Sequence, residues 1–484
     1  MSSEKIINNF AWRFLERCGA QGVTFIVSLV LARLLDPSVY GIVALVTVFT
    51  TIMQVFVDSG MGNALIQKKD ADDLDFSSVF YFNMTVCLAL YLLMFLVSPL
   101  IADFFKMSEL TPVIRTISLL IVISGIKNVQ QAYVSRNMLF KRFFFATIGG
   151  TLGAAVVGIV MAYCGFGVWA LVAQMLFNTI VDTTILWITV KWRPKKMFSF
   201  ARIKVLFSFG WKLLVSSLID VLYNESRQLI IGKMYTSSDL AQYNQGKKFP
   251  NLIVTNINTS IDSVLLPTLS KAQDDSNKVR EMTRRAIKTS TYIMMPCMVG
   301  IAVCAKPLVG LVLTDKWLPC VPFLRLFCFS YAFWPIHTAN LNAIKAMGKS
   351  DLFLKLEIMK KVVGLIAILS TMWISVLAMA YSVFFTSIMS QIINSWPNKK
   401  LLNYSYLKQL KDIFPQIGLS LGMGVIVYSI SLIGLNQIWT LLLQFIVGVT
   451  IYIFGSKFFH LESFEYLCKT IKQLFVKKRK EAQS

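Results

Sequence analysis

Charge is scarce in this chain, and acidic charge most of all. Only 15% of its 484 residues are charged, with 25 Asp and Glu against 48 Lys and Arg. Soluble domains carry about 25% charged residues, so a water-exposed globule is excluded. The chain has two histidines, and its eight cysteines form no CxxC pair and mostly sit inside apolar segments. A disulfide framework or a zinc site is therefore not expected. There is no P-loop, no GxSxG and no cluster of metal ligands, so no ATPase or other catalytic signature is present and no cofactor or metal is called for. The Gly165–Gly167 GFG falls in a short turn and is not a dinucleotide fingerprint. The start, MSSEKIINNFAWRFLERCGAQG, has charges where a signal peptide has its apolar core and ends in no small-residue cleavage site; it reads as the amphipathic beginning of a membrane helix.

Apolar residues are what the chain has in abundance: 56% of it, with a mean hydropathy of +0.62. Runs close to the ~20 residues that cross a bilayer recur throughout. The expected fold is an all-α polytopic membrane protein of about fourteen spans, near 10–34, 40–66, 79–102, 114–135, 145–163, 168–190, 207–232, 249–269, 289–313, 319–344, 356–373, 375–396, 413–433 and 438–456. With this map the loops on one side hold 32 Lys and Arg, those on the other hold 5, and 11 lie within spans. That asymmetry places both termini in the cytoplasm. It also gives the net charge of +23 a topological meaning, with no need of nucleic acid. The basic tail, ending in Lys477–Lys480, is expected against anionic headgroups.

The chain repeats itself. Residues 31–73 and 230–275 share an order of features: a basic residue closing a hydrophobic helix (Arg33, Lys233), a polar turn ending near a tyrosine (Tyr40, Tyr243), a helix carrying an aspartate (Asp58, Asp262), and a lysine-containing loop with an Asp pair (Asp72 and Asp73, Asp274 and Asp275). Internal repeats of this kind are frequent in transporters. The expected division is an N-lobe at 1–190, a basic cytoplasmic linker at 191–206 (KWRPKKMFSFARIK and its flank), a C-lobe at 207–397, two further helices at 413–456 and a basic cytoplasmic tail at 457–484. The two lobes are pseudo-symmetric, six helices each.

Polar residues inside the spans fall on stripes. Helix 7 carries Lys212, Ser216, Asp220, Asn224 and Arg227, and helix 8 carries Asn251, Thr255, Asn258 and Asp262. Helix 1 carries Asn9, Arg13, Arg17, Gln21, Thr24 and Ser28, and helix 2 carries Thr47, Thr51, Gln54 and Asp58. Spacings of three and four put each set on one helical face. A charge facing lipid costs at least ~2.5–3.5 kcal/mol at mid-span, so these faces are expected to look onto a hydrated cavity between the lobes. Salt bridges, such as Asp220 with Arg227, are the alternative. Arg13, Arg17, Lys212 and Arg227 make the cavity cationic, which suits an anionic, phosphate-bearing substrate. Asp58, Asp220 and Asp262 pair with those cations, bind a coupling cation or cap helix ends; Gln54, Asn224 and Asn258 are neutral lining groups. Arg115, Lys127, Asp182, Arg325 and His337 lie in spans but on no stripe, and the glycine runs 149–153 and 418–422 fit close helix contact.

The motifs RLLDPSVYG, DSGMGNALIQ, QAYVSRNMLFKRF, GFGVWALVAQ, IIGKMYTSSDLAQYNQ, VLLPTLSKAQDD and NAIKAMGKSDLFLKLEIMKK, in this order, resemble the oligosaccharide flippases of the multidrug/oligosaccharidyl-lipid/polysaccharide exporter superfamily, of the colanic-acid and teichuronic-acid type. The resemblance runs to about residue 365 and fades in the last two helices. It implies two six-helix lobes in a V, and a non-enzymatic transporter that flips an undecaprenyl-pyrophosphate-linked oligosaccharide across the bacterial inner membrane by alternating access. It also implies work alongside polysaccharide assembly proteins, and coupling to a cation, proton or sodium. At the helix 7 motif, where the family often has an acidic residue, this chain has Glu225 and Arg227 in NESRQLIIG. Under this reading the basic residues attract the pyrophosphate or acidic sugars, the aspartates pair with them between states, and the neutral groups meet sugar hydroxyls. The apolar face of the last two helices guides the polyprenyl tail. A cation-coupled drug exporter on the same fold is the rival, disfavoured by a basic cavity; a membrane glycosyltransferase or polymerase would need a large outward loop or an acidic cluster.

Overall fold

The computed structural model describes the backbone of residues 3–481 except 59, 60, 69 and 138, and side chains from residue 19 to 473 except at those positions and at 63, 64, 67, 140–142, 209, 212 and 471. Among the described residues there is no strand. The chain divides into two compact units, Met1–Ala241 and Gln242–Ser484.

The first unit holds α1 (Ser3–Leu34), α2 (Pro37–Asp58), α3 (Met61–Gln67), α4 (Asp73–Phe105), α5 (Leu110–Ile117), α6 (Leu119–Arg136), α7 (Phe140–Tyr163), α8 (Val168–Thr189) and α9 (Phe200–Met234); α10 (Ser237–Lys271) begins in it. The second continues with α11 (Ser276–Val303), α12 (Ala305–Leu313), α13 (Val321–Ala332), α14 (Trp334–Ala346), α15 (Ser350–Thr371), α16 (Val376–Leu401), α17 (Tyr406–Ile430), α18 (Gln437–Phe458) and α19 (Glu462–Glu481). Short polar residues set many of the starts. Asp72 caps α4 in a reciprocal capping box with Asp75, and Asp275 accepts from the backbone of Asn277 and Lys278 at the head of α11. Such caps satisfy backbone N–H groups that have no partner within the helix. The two capping aspartates come from the two paired-Asp loops.

Among the described residues ten helices are long and apolar enough to cross a membrane, or eleven if the bent pair Phe200–Ser208 and Leu213–Met234 is one span. The chain is thus a multi-pass helical membrane protein. Fourteen was the count expected from sequence; α1, α9, α10 and α15 make the difference. In α1 the part whose side chains are described, Gly19–Leu34, is apolar but shorter than a span; α9 counts only if its bent pair is one span; polar residues lower the mean hydropathy of α10; and α15 opens with Lys355, Glu357, Lys360 and Lys361.

The connector 191–206 is not a free linker. Its backbone N–H groups at Lys195 and Ser199 donate to Ser77 and Ser78 at 3.0 and 2.9 Å, and Gln130 donates to the Trp192 carbonyl at 3.0 Å. Lys195 lies 2.5 Å from Asp73, Trp192 donates to Asp73 at 3.2 Å, and Arg202 sits 3.7 Å from Asp72 and 3.6 Å from the buried Asp75. The Trp192 ring packs on Phe76 and Tyr133. This strap carries α9 back onto α2, α3 and α4, and the Lys233 ammonium at its far end donates to the Phe104 carbonyl, 4.1 Å from the Phe104 ring centroid. The division by packing therefore falls one helix beyond the connector.

In the second unit α17 and α18 are fastened by polar contacts. Tyr452 donates to the Tyr292 carbonyl at 2.8 Å, Tyr292 donates to Ser456 at 3.0 Å, and Gln444 donates to the Val427 carbonyl at 3.1 Å. Arg284 grips Asp412 with two bonds of 2.8 Å, and Tyr404 donates to the same carboxylate at 2.8 Å.

Candidate functional site

Each unit places an aspartate of the repeat beside an asparagine. At the end of α2, Asp58 Oδ1 accepts from Gln54 Nε2, one turn earlier, and from Asn128 Nδ2 of α6, both at 3.2 Å. On α10, Asp262 Oδ1 accepts from Asn342 Nδ2 of α14 at 2.6 Å. One turn before it, Asn258, 8% exposed, accepts from Thr338 Oγ1 at 3.2 Å. Residues 258 and 262 on one helix meet 338 and 342 on the other, two parallel rungs at a spacing of four. Both aspartates remain exposed on the surface of their unit. A carboxylate held by carboxamide donors keeps further lone pairs for a cation or a sugar hydroxyl.

Beside Asn128, Lys127 Nζ lies 2.8 Å from Asp182 Oδ2 of α8, the two side chains 17% and 15% exposed. These groups, on no stripe, form an intramembrane ion pair. The other isolated polar groups also have structural partners. Arg115 donates to Ser98 at 3.0 Å and lies 4.2 Å from the Phe95 ring centroid; Arg325 donates to the Ala302 carbonyl at 3.1 Å; and His337 Nδ1 is 2.6 Å from Asn394 Nδ2.

Of the cationic candidates, Arg227 is half-buried on α9. The side chains of Arg13, Arg17 and Lys212 lie outside the described residues. Asp220 and Asn224 are exposed on the same helix, which packs along α2, with Gly232 against Leu45. Among the described residues no group of three or more His, Cys, Asp or Glu is placed to hold a metal ion.

Sequence reasoning missed Asn128, Asn342 and Thr338. The signal that reveals them is a continuation of the repeat: Asn128 and Asn342 head segments that run on to Leu139–Phe140 and Leu352–Phe353. At the head of α4 the Asp75 backbone N–H donates to Asp72 and holds its carboxyl below the usual carboxylate range, as expected for an N-cap anion.

The family described as "Polysaccharide biosynthesis protein" matches residues 30–322, more than half of the chain. The lipopolysaccharide biosynthesis protein WzxC of Escherichia coli (strain K12) is 23% identical over 446 residues, 90% of this chain and 89% of WzxC. The teichuronic acid biosynthesis protein TuaB of Bacillus subtilis (strain 168) is 24% identical over 397 residues, 79% of this chain and 80% of TuaB. Among solved structures, lipid II flippase MurJ in an inward closed conformation superposes with a TM-score of 0.74 at 15% identity, covering 95% of this chain and 99% of MurJ. That likeness shows a shared fold.

Proposed function

Since the chain belongs to the polysaccharide biosynthesis protein family, we propose that it translocates an undecaprenyl-pyrophosphate-linked oligosaccharide repeat unit across the bacterial inner membrane, for cell-surface polysaccharide synthesis. It moves the unit from the cytoplasmic to the periplasmic leaflet by alternating access, with both termini in the cytoplasm, and makes or breaks no covalent bond. It works beside the polysaccharide assembly proteins that supply and consume the unit. The observation that carries this reading is the position of the polar faces: Gln54 and Asp58 share one face of α2, and Asn258 and Asp262 share one face of α10, in a chain of membrane-spanning helices. A membrane helix keeps a polar face only where that face meets water, a partner or a polar cargo.

In this proposal Arg13, Arg17, Lys212 and Arg227 attract the pyrophosphate or acidic sugars, since a guanidinium matches phosphate with paired donors. Asp58, Asp220 and Asp262 pair with those cations between states or take the coupling cation, proton or sodium. Gln54, Asn224 and Asn258 meet sugar hydroxyls, and the lipid-facing surface of α17 and α18 guides the polyprenyl tail. The experiment is sugar analysis of the lipid carriers in cells deleted for the gene. Accumulation of a pyrophosphate-linked oligosaccharide on the cytoplasmic leaflet is the expected result; an unchanged carrier pool would refute the proposal.

A further inference from the structure

The first unit contains a cavity of about 260 Å³ among α1, α2, α7 and α8, remote in sequence from the groups discussed above on α6, α9 and α10. Its polar lining is Thr24, Ser28, Tyr40, Thr151, Gln174 and Asn178, the remainder is apolar, and among the described residues no charged side chain lines it. It is built on glycine. A Cβ at Gly150 would fall 2.8 Å from Asn178 Oδ1 and 2.9 Å from the Asn178 carbonyl, and one at Gly158 would fall 3.1–3.3 Å from the Gln174 side chain. The two carboxamides therefore lie over bare backbone on α7.

Ser28 and Thr151 satisfy their hydroxyls locally, on the Phe25 and Thr147 carbonyls at 2.6 and 2.7 Å. Gln174, Asn178 and Thr24 make no side-chain hydrogen bond to another described residue. Unfilled amides within a membrane span are unfavourable unless water or cargo fills them. Each carboxamide offers two donors and an acceptor, a mixed set suited to hydroxyls. A bare divalent cation wants six or more oxygens, with carboxylates prominent among them, and a phosphate wants cations; the lining supplies neither. The volume lies just under the ~300–1,000 Å³ of pockets for drug-sized molecules, room for one ring and not a chain.

We infer that this cavity is a subsite for a single uncharged, hydroxyl-rich sugar ring of the translocated glycan, read by Gln174 and Asn178. The inference rests on the flippase reading. It adds a specificity site within one unit, distinct in chemistry from the cations proposed for the pyrophosphate.

The test uses purified full-length protein and native mass spectrometry with two probes: undecaprenyl pyrophosphate, and the lipid-linked saccharide extracted from cells deleted for the gene. Wild type is expected to bind the saccharide-bearing lipid more tightly. Gln174→Leu with Asn178→Leu is expected to weaken that lipid about tenfold or more, the weight of one to two hydrogen bonds, and leave undecaprenyl pyrophosphate unchanged. Thr24→Val, nearly isosteric on an exposed position, is expected to weaken the same lipid alone, and serves if the double variant does not fold. Equal weakening of both lipids, or none, with the saccharide lipid bound by wild type, would overturn the subsite while leaving the flippase reading intact. Wild type that binds neither lipid would overturn both.

Discussion

Replacing Lys127 by Met would leave the Asp182 carboxylate without its cation inside a membrane span. The native contact is 2.8 Å, and both side chains are less than one-fifth exposed, so solvent relieves little of the loss. Breaking one partner of such a buried pair costs about 3–5 kcal/mol; residual exposure argues for the lower end, ~3 kcal/mol. At ~1.4 kcal/mol per tenfold, that is a shift of roughly a hundredfold in the folded fraction. The neutral double variant, Lys127→Met with Asp182→Leu, removes the unpaired charge and is expected to recover most of the stability, because a well-packed apolar substitute for an ion pair is often neutral or better. Thermal unfolding in detergent, read by the monodisperse fraction on size exclusion, compares the four proteins of the cycle. A Lys127→Met protein as stable as wild type would show that the pair is not desolvated. A double variant no better than the single would show that Lys127 acts elsewhere, with the substrate rather than with Asp182.

Asn342→Leu should weaken both the α10–α14 rung and the site, since a bond to a charged group contributes about 1.5–3 kcal/mol; reduced transport with retained expression is expected, and Asn128→Leu should do the same in the first unit. A Cβ at Gly41 would lie 1.7 Å from the Ser237 carbonyl oxygen, a backbone atom with no room to yield, so Gly41→Ala should abolish folded protein, judged by yield of monodisperse material. The Lys288 ammonium donates to Glu462 and holds its carboxyl below the ordinary value of 4.5. A depressed carboxyl contributes stability above about pH 4.5 and loses it as pH falls through the lowered value. Hydrogen exchange at the start of α19 should therefore accelerate only below that pH, and Glu462→Gln should remove the pH step.

The stripes were legible because helical period is local: Gln54 to Asp58 and Asn258 to Asp262 each span four residues, and the structure keeps each pair on one face. Their partners were not, because Asn128 and Asn342 lie 70 and 80 residues away in sequence, and no periodicity reports a contact of that range. The Lys127–Asp182 pair escaped for the same reason, 55 residues apart. The span count fell short on α10, where polar residues and apolar length compete within one helix. The basic connector read as a topology signal; in the structure Lys195 and Arg202 bind Asp73, Asp72 and Asp75, so the same run of charge straps α9 to its unit.

The direct measurement is movement of a fluorescently labelled undecaprenyl-pyrophosphate-linked oligosaccharide in proteoliposomes, for wild type and for Arg17→Ala with Arg227→Ala. Two lost charge-assisted bonds, at ~1.5–3 kcal/mol each, predict a rate at least about a hundredfold lower in the double variant, against clear transport by wild type. Failure of the wild type to move the lipid, or equal rates in the two proteins, would contradict the account.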